Sequence, residues 1–307
     1  MISVITWLWG NRSFQPEHVL KLRDMVANNL QLSHEFVCVT DKVIPGVKTI
    51  RPPVNPLEHR GCLARLEMLS AGNSLTDGLR SWIWHFDLDT VICSPLDPLF
   101  LSLTGKGAYA GIYKAPSVGR NAVAYNPSLF LFRKGAFDDV YLRWKSAGIE
   151  LCKEAWAAGW IGSDQAILGH TIRDRCVAWG TEHGIFSFRD DYAPHTDYKP
   201  TNVRVVSFYD RWPELQTGKA PAWINEIWHG GCNMPFIYDG PLNCGRKLRK
   251  LSGDVGQLFT RWQDVPEGSV VFLPSDYPRK WPDGYQVTLF DRENLRESVD
   301  LVMATRA

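Results

Sequence analysis

The order of the apolar runs constrains this chain more than any other feature. Ile2 to Leu8, mostly apolar, reads as a buried strand followed by Gly10. Pro16 to Leu30 carries apolar residues at Val19, Leu22, Met25, Val26 and Leu30, a stripe at helical spacing. Glu35 to Thr40 reads as a second strand stopped by Asp41. A helix follows on Leu63, Leu66 and Leu69 with Met68 beside them, and Ser81 to Phe86 is the next strand. Strand, helix, strand, helix, strand predicts right-handed crossovers and a largely parallel sheet with helices on both faces. Later segments extend the pattern: "GAYAGI", "SLFLFR" and "RVVSFYD" as strands, Ala136 to Lys145 as a helix, "GSDQAILGH" as a helix start. After about Trp228 the character changes. "CGRKLRK" is locally basic, "SVVFLP" reads as a strand, and Leu295 to Met303 as a terminal helix behind Asp291. The expected organisation is a main domain over 1–228 and an extension over 229–307, packed on it and available for an acceptor.

Composition excludes several classes. A net charge of +1 over 307 residues offers no global attraction for nucleic acid, although it permits a local basic patch. Seven scattered cysteines without a CxxC pair argue against a zinc ribbon and a disulfide framework, and point to a reducing, cytoplasmic setting. The N-terminal "MISVITWLWGNRS" lacks the charged and apolar regions of a signal peptide, and no run reaches the ~18 apolar residues of a membrane span.

The chemistry concentrates where "WIWHF" meets "DLD". A free aspartate titrates near pH ~4, so Asp87 and Asp89 should both be charged. In extended backbone they would share one face, roughly 6.5–7 Å apart along the chain. Like charges at the carboxyl end of a sheet strand, where ligands bind in such sheets, call for a cation. A D-x-D pair also arises simply as a turn cap beside a solvated loop residue; here the apolar run before it, Val91 and Ile92 after it, and "SPLDPLF" as a helix start narrow that reading.

The segment resembles the metal-binding stretch of GT-A fold nucleotide-sugar glycosyltransferases, in particular bacterial and phage family-8-like members. Six segments in order carry the resemblance over roughly residues 2–228: the opening strand, helix and "FVCVTD"; "GCLARLEMLS"; "DLDTVI"; "AYNPSLFLFRKGAF"; "IGSDQAIL"; and "GIFSFRDDYAP" with "NVRVVSFYDRWPEL". The resemblance implies an α/β, GT-A (Rossmann-like) fold with a C-terminal extension. It implies transfer of a hexosyl or pentosyl group from a nucleoside-diphosphate sugar, with Mn²⁺ or Mg²⁺. It places Asp87 and Asp89 at the metal, Asp89 as the direct ligand and Asp87 reaching the ribose or the metal through water. Asn126 and Ser128 fall in the donor pocket. Asp164 and Gln165 become the catalytic pair, Asp164 holding donor-sugar hydroxyls or serving as base; alternatively Asp164 is a first-turn carboxylate behind an N-cap at Ser163. Arg65 and Arg189 are candidates for phosphate oxygens, because a planar guanidinium makes bidentate contacts; a surface ion pair is the other reading of each. Thr6 and Trp7 would frame the nucleobase or simply pack. Trp156 and Trp160, one helical turn apart, read first as core packing and second as an acceptor wall, and His195 and His229 as ordinary histidines rather than ligands. Where the family carries His-Gly, whose His completes the metal's ligand set, this chain has Tyr209-Asp210: either Asp210 substitutes as a third metal ligand, or the metal is held more weakly here.

A glycan or lipid-linked acceptor is the default; phages glycosylate modified bases, so DNA is the alternative, favoured by "CGRKLRK" and the thirteen tryptophans. Two rival classes remain: a haloacid-dehalogenase-type phosphatase, for which "FDLDTVI" would be the first motif, and a non-catalytic nucleotide-sugar-binding module.

Overall fold

The structure is a computed structural model. It describes residues 1–10, 14–115, 124–191 and 199–230, together with five strands beyond them. By contacts the chain divides into two units, Met1–Ile227 and Trp228–Ala307.

The first unit is built on a seven-stranded sheet. Its strands are β1 (Ile2–Leu8), β2 (His34–Thr40), β3 (Lys48–Ile50), β4 (Trp82–Phe86), β6 (Ala110–Ala115), β7 (Ala124–Arg133) and β8 (Val177–Trp179), in the order β3-β2-β1-β4-β7-β6-β8. The expected parallel half is there: β1 pairs in parallel with β2 and β4, and β2 with β3. β7 runs antiparallel to both β4 and β6, so the sheet is mixed. β5 (Thr90–Ile92), β9 (Ile185–Ser187) and β10 (Val205–Ser207) form a separate three-stranded sheet with β10 central. Thus "RVVSFYD" is a strand of the small sheet, and it shortens to three residues.

Both faces of the large sheet are covered. Ile5, Val37, Ile83, Ile112 and Phe130 pack into one core with Ala166, Ile167 and Leu168. Neighbours of opposite parity, such as Val4 and Trp84, are equally buried, as expected for a sheet between helical layers. The helices are α1 (Pro16–Asn29), α2 (Asp97–Thr104), α3 (Asp138–Ala147), α4 (Ile149–Ala157), α5 (Asp164–Ile172), α6 (Trp212–Gln216) and α7 (Ala222–Gly230). Helix α1 starts at a proline, favourable at the first helical position, and buries Val19, Leu22, Met25 and Val26, the residues of the sequence stripe.

Three expectations need correction. Leu63–Leu69 is a 3-10 helix, not an α-helix. Leu63, Leu66 and Leu69 recur every third residue, the spacing of three residues per turn, and every residue of the segment except Arg65 is buried. Trp156 and Trp160 do not share a helix, because α4 ends at Ala157. In the second unit, Leu301–Arg306 is a strand where a terminal helix was expected. It lies antiparallel between Val270–Pro274 and Tyr285–Leu289, two segments rich in β-branched residues that give it partners on both edges. A two-stranded parallel ladder joins Phe236–Ile237 to Leu258–Phe259. "CGRKLRK" and His195 lie outside the described residues.

Candidate functional site

The acidic pair sits where the chain passes from the large sheet to the small one. Asp87 continues the β4–β7 ladder by one bond, its N–H donating to Ser128 O at 2.9 Å. Leu88 and Asp89 then form a turn, and Thr90 opens β5. The two aspartates therefore do not lie along one extended strand, as the sequence suggested; a turn brings the second round. Opposite them β7 bulges: Ile112 pairs with Phe130 while Tyr113 pairs with Asn126. Pro127 lies in this bulge, where its missing N–H breaks no ladder. The bulge is fastened by Ser128 N–H donating to Asn126 Oδ1 at 2.8 Å. It is also fastened by His85 Nδ1 at 2.5 Å from Pro127 O. A carbonyl only accepts, so Nδ1 carries the hydrogen. His85 is fully buried, and burial lowers its pKa against the opposing pull of Asp87. Its Nε2 faces Asp87 Oδ1 at 3.6 Å.

Arg65, the outward residue of the 3-10 helix, lies between two carboxylates. Its Nη1 pairs with Asp87 Oδ1 and its Nε with Asp164 Oδ2 at 2.8 Å. These carboxylates hold the guanidinium protonated more firmly than usual, against the effect of burial. Asp164 is buried in the first turn of α5, where a helix N-terminus stabilises negative charge. Ser163 O accepts the first helical bond, from Ile167 N–H at 3.3 Å. The Ser163 hydroxyl instead donates to Asp164 Oδ1 at 3.2 Å and accepts the Cys62 N–H at 3.0 Å. That last bond needs Gly61: its φ is +60° and an added Cβ would stand 2.8 Å from Ser163 Oγ. Gln165 follows, half-buried, in the same turn.

Asp89 is the anomaly. It is only 8 % exposed and its Oδ1 has no hydrogen-bond partner. Burial first, and the Asp87 charge second, push its carboxyl up to about 8, and the Tyr209 N–H and Arg65 offset only part of this. A buried carboxylate with an unused oxygen is costly unless something cationic meets it.

The pair opens onto a cavity of about 350 Å³, lined among others by Trp7, Trp9, Phe14, Pro56, Cys62 and Arg65 with Asp87 and Asp89. One side is therefore aromatic and the floor acidic. Trp7 is on the wall, whereas Thr6 is fully buried in β1 and does not line the cavity. Trp9 and Phe14 were missed in the sequence because they lie beyond the strand in a segment without periodicity. The Cys62 thiol is drawn down by Arg65, but desolvation and the carboxylates of Asp164, Asp87 and Asp89 push it up to about 11, so it is no nucleophile at neutral pH.

The small sheet closes the far side. The β5–β10 ladder extends by Phe208 N–H donating to Asp89 O at 3.0 Å. Tyr209 then takes φ = 51°, left-handed for a non-glycine residue, at a cost of about 1–3 kcal/mol. Its ring stacks on Tyr113 with centroids 6.3 Å apart and planes at 16°. The Arg189 guanidinium lies over that ring at 5.6 Å and is ion-paired to Asp190 at 3.0 Å. Ser207 Oγ and Ser128 Oγ meet at 3.5 Å. Asp210 follows in a 3-10 turn, Tyr209–Arg211; its side chain lies outside the described residues. His229 is in α7. The structure thus gathers Arg65, Asp87, Asp89, Asn126, Ser128 and Asp164 around one end of β4, with Trp7 on the cavity wall and Arg189 reaching the group through Tyr209.

Among the described residues no group of three His, Cys, Asp or Glu could hold a metal ion. The oxygen donors present still suit a hard divalent cation of the kind that takes one or two carboxylates and completes its shell with water and substrate phosphates. The unused Oδ1 of Asp89 is the observation that fits.

No family model and no curated protein matches the chain. Among solved structures, the galactosyltransferase LgtC in complex with donor and acceptor sugar analogs aligns at 14% identity, covering 67% of this chain and 86% of that one, with a TM-score of 0.46. An active-site mutant of LgtC aligns at 15% identity over the same shares, with a TM-score of 0.45. Neither likeness says anything about the substrate of this chain.

Proposed function

We propose that this protein is a glycosyltransferase that takes a nucleoside-diphosphate sugar as donor and works with Mn²⁺ or Mg²⁺ held by Asp87 and Asp89. One observation carries the reading: a buried carboxylate oxygen, Asp89 Oδ1, has no partner, while Arg65, the cation that acts on it, is already shared by Asp87 and Asp164. Asp87 and Asp164 already share the one guanidinium, so buried Asp89 has no cation of its own, and a divalent ion would supply it. Such an ion, when bound, neutralises the diphosphate that departs from the sugar.

The chain's own residues supply the rest. Arg65 holds Asp87 and Asp164 at a fixed separation, so the two acids are positioned before a ligand arrives. On the resemblance, Asp164, buried against Arg65, would accept hydrogen bonds from donor-sugar hydroxyls, with Gln165 beside it. Trp7, Trp9 and Phe14 offer aromatic surface for a nucleobase. Asn126 and Ser128 stiffen the strand opposite Asp87. Asp210 is retained as a third oxygen ligand on the sequence argument. A glycan or lipid-linked acceptor follows from the resemblance, with DNA as the alternative.

A panel of sugar nucleotides, assayed for hydrolysis with Mn²⁺ and with EDTA, tests this without knowledge of the acceptor. The expected result is metal-dependent release of nucleoside diphosphate from one or a few donors, lost in Asp89→Ala. Turnover of a simple phosphate monoester, with no sugar nucleotide cleaved, would favour the phosphatase reading instead.

A further inference from the structure

Tyr209 is not a residue that a metal reading needs, yet the structure spends backbone strain on it beside Asp89. It is the one non-glycine residue with positive φ among the described residues. The strain has a geometric product. The β5–β10 ladder ends with Phe208 N–H donating to Asp89 O at 3.0 Å. The ladder alone would run on past Asp89. The left-handed turn stops it there and carries the Tyr209 ring onto Tyr113, under Arg189. The ring is thereby held between β6 and the segment after β9, and the end of β10 that binds Asp89 O is held with it. Asp89 Oδ1, in contrast, is left without a partner.

We propose that Tyr209 is a positioning residue for Asp89: its held ring and left-handed turn fix the end of β10, whose Phe208 N–H binds Asp89 O, and so fix the backbone that presents the Asp89 carboxylate to a cation. The inference rests on the metal reading above. It assigns no ligand role to the Tyr209 hydroxyl; what matters is the ring and the turn it anchors. Groups that orient a metal ligand commonly change metal affinity by ~10–100-fold when lost.

The test is Mn²⁺ affinity of the full chain, read from the electron paramagnetic resonance signal of free Mn²⁺, with Mn²⁺ alone as the probe. Tyr209→Gly removes the ring yet suits the left-handed backbone; it is expected to weaken binding ~10–100-fold. Tyr209→Asn, which also tolerates that conformation, is expected to behave alike and guards against a folding defect peculiar to glycine. Tyr209→Phe keeps the wedge and is expected to stay within about threefold of wild type, a rescue that a mere hydroxyl or ligand role would not give. Wild-type affinity in both Tyr209→Gly and Tyr209→Asn overturns the inference, and so does a Tyr209→Phe loss as large as theirs. Failure of the wild-type chain itself to bind Mn²⁺ overturns the metal reading, and this inference with it.

Discussion

At the scale of single residues, the site is a place where stability is given up. Asp89 is buried beside Asp87, and its carboxyl is raised to about 8 by burial and by that neighbour. An unfolded aspartate titrates near ~4. Between those values the folded chain binds more protons than the unfolded one, so this group's contribution to stability is full below pH ~4 and is lost as pH rises toward 8. In protein kept metal-free with chelator, the melting temperature should therefore fall across that window. Asp89→Asn should flatten the slope and raise the melting temperature at pH 7, by about 2–4 °C per kcal/mol regained in a domain of this size. The same variant should lose donor hydrolysis. Calorimetric scans at several pH values, with and without Mn²⁺, check both: Mn²⁺ should stabilise the wild type and leave Asp89→Asn unmoved. The buried thiols are a contrast. Desolvation pushes Cys38 to about 12, so it behaves as a small apolar side chain and contributes no titration near neutrality.

At the scale of elements, the acids are set by how tightly their supports pack. Helix α5 begins with Asp164 and lies against Trp160 through Gly169, where an added Cβ would come within 2.3 Å of the indole. Gly169→Ala should destabilise by about 1–3 kcal/mol, the usual cost of overpacking, and should reduce turnover by shifting Asp164 while leaving Mn²⁺ affinity nearly intact. Thermal melts and hydrolysis rates on the same preparation measure the two effects. Such packing was invisible in the sequence, although much of the framework was legible. Apolar stretches long enough to span a strand, such as Ile2–Leu8, and stripes such as Val19–Leu22–Val26 declare themselves because burial imposes a period. The 3-10 winding of Leu63–Leu69 was present in the spacing but reads as α-helix when three and four are not distinguished. The turn at Leu88–Asp89, the bulge at Pro127 and the left-handed Tyr209 arise from pairing between distant strands, and no local pattern encodes them. Hence Asp87 and Asp89 could be singled out from their types and context, whereas the contacts of His85 and the left-handed turn at Tyr209 depend on what they face and could not.

At the scale of the whole molecule, the chain forms two compact units whose contact boundary falls at Ile227, inside α7. We expect the metal and donor chemistry to reside wholly in the first unit, since each acid, each aromatic wall residue and Arg65 precede that boundary. A chain ended after Gly230, so that α7 stays whole, should melt cooperatively and retain metal-dependent donor hydrolysis; loss of hydrolysis with folding intact would place part of the donor site in the second unit. No helix among the described residues is long and apolar enough to cross a membrane. With a net charge of +1, duplex DNA should not be retarded by the protein even at low salt; a salt-sensitive gel shift would instead support the DNA acceptor. The central claim is that a divalent cation meets Asp89 at the end of β4. Anomalous diffraction from crystals grown with Mn²⁺ and a nucleoside diphosphate tests it most directly. The account predicts a manganese peak within bonding distance of an Asp89 carboxylate oxygen, bridged to the diphosphate. A diphosphate bound in the crystal with no manganese at Asp89 would contradict it.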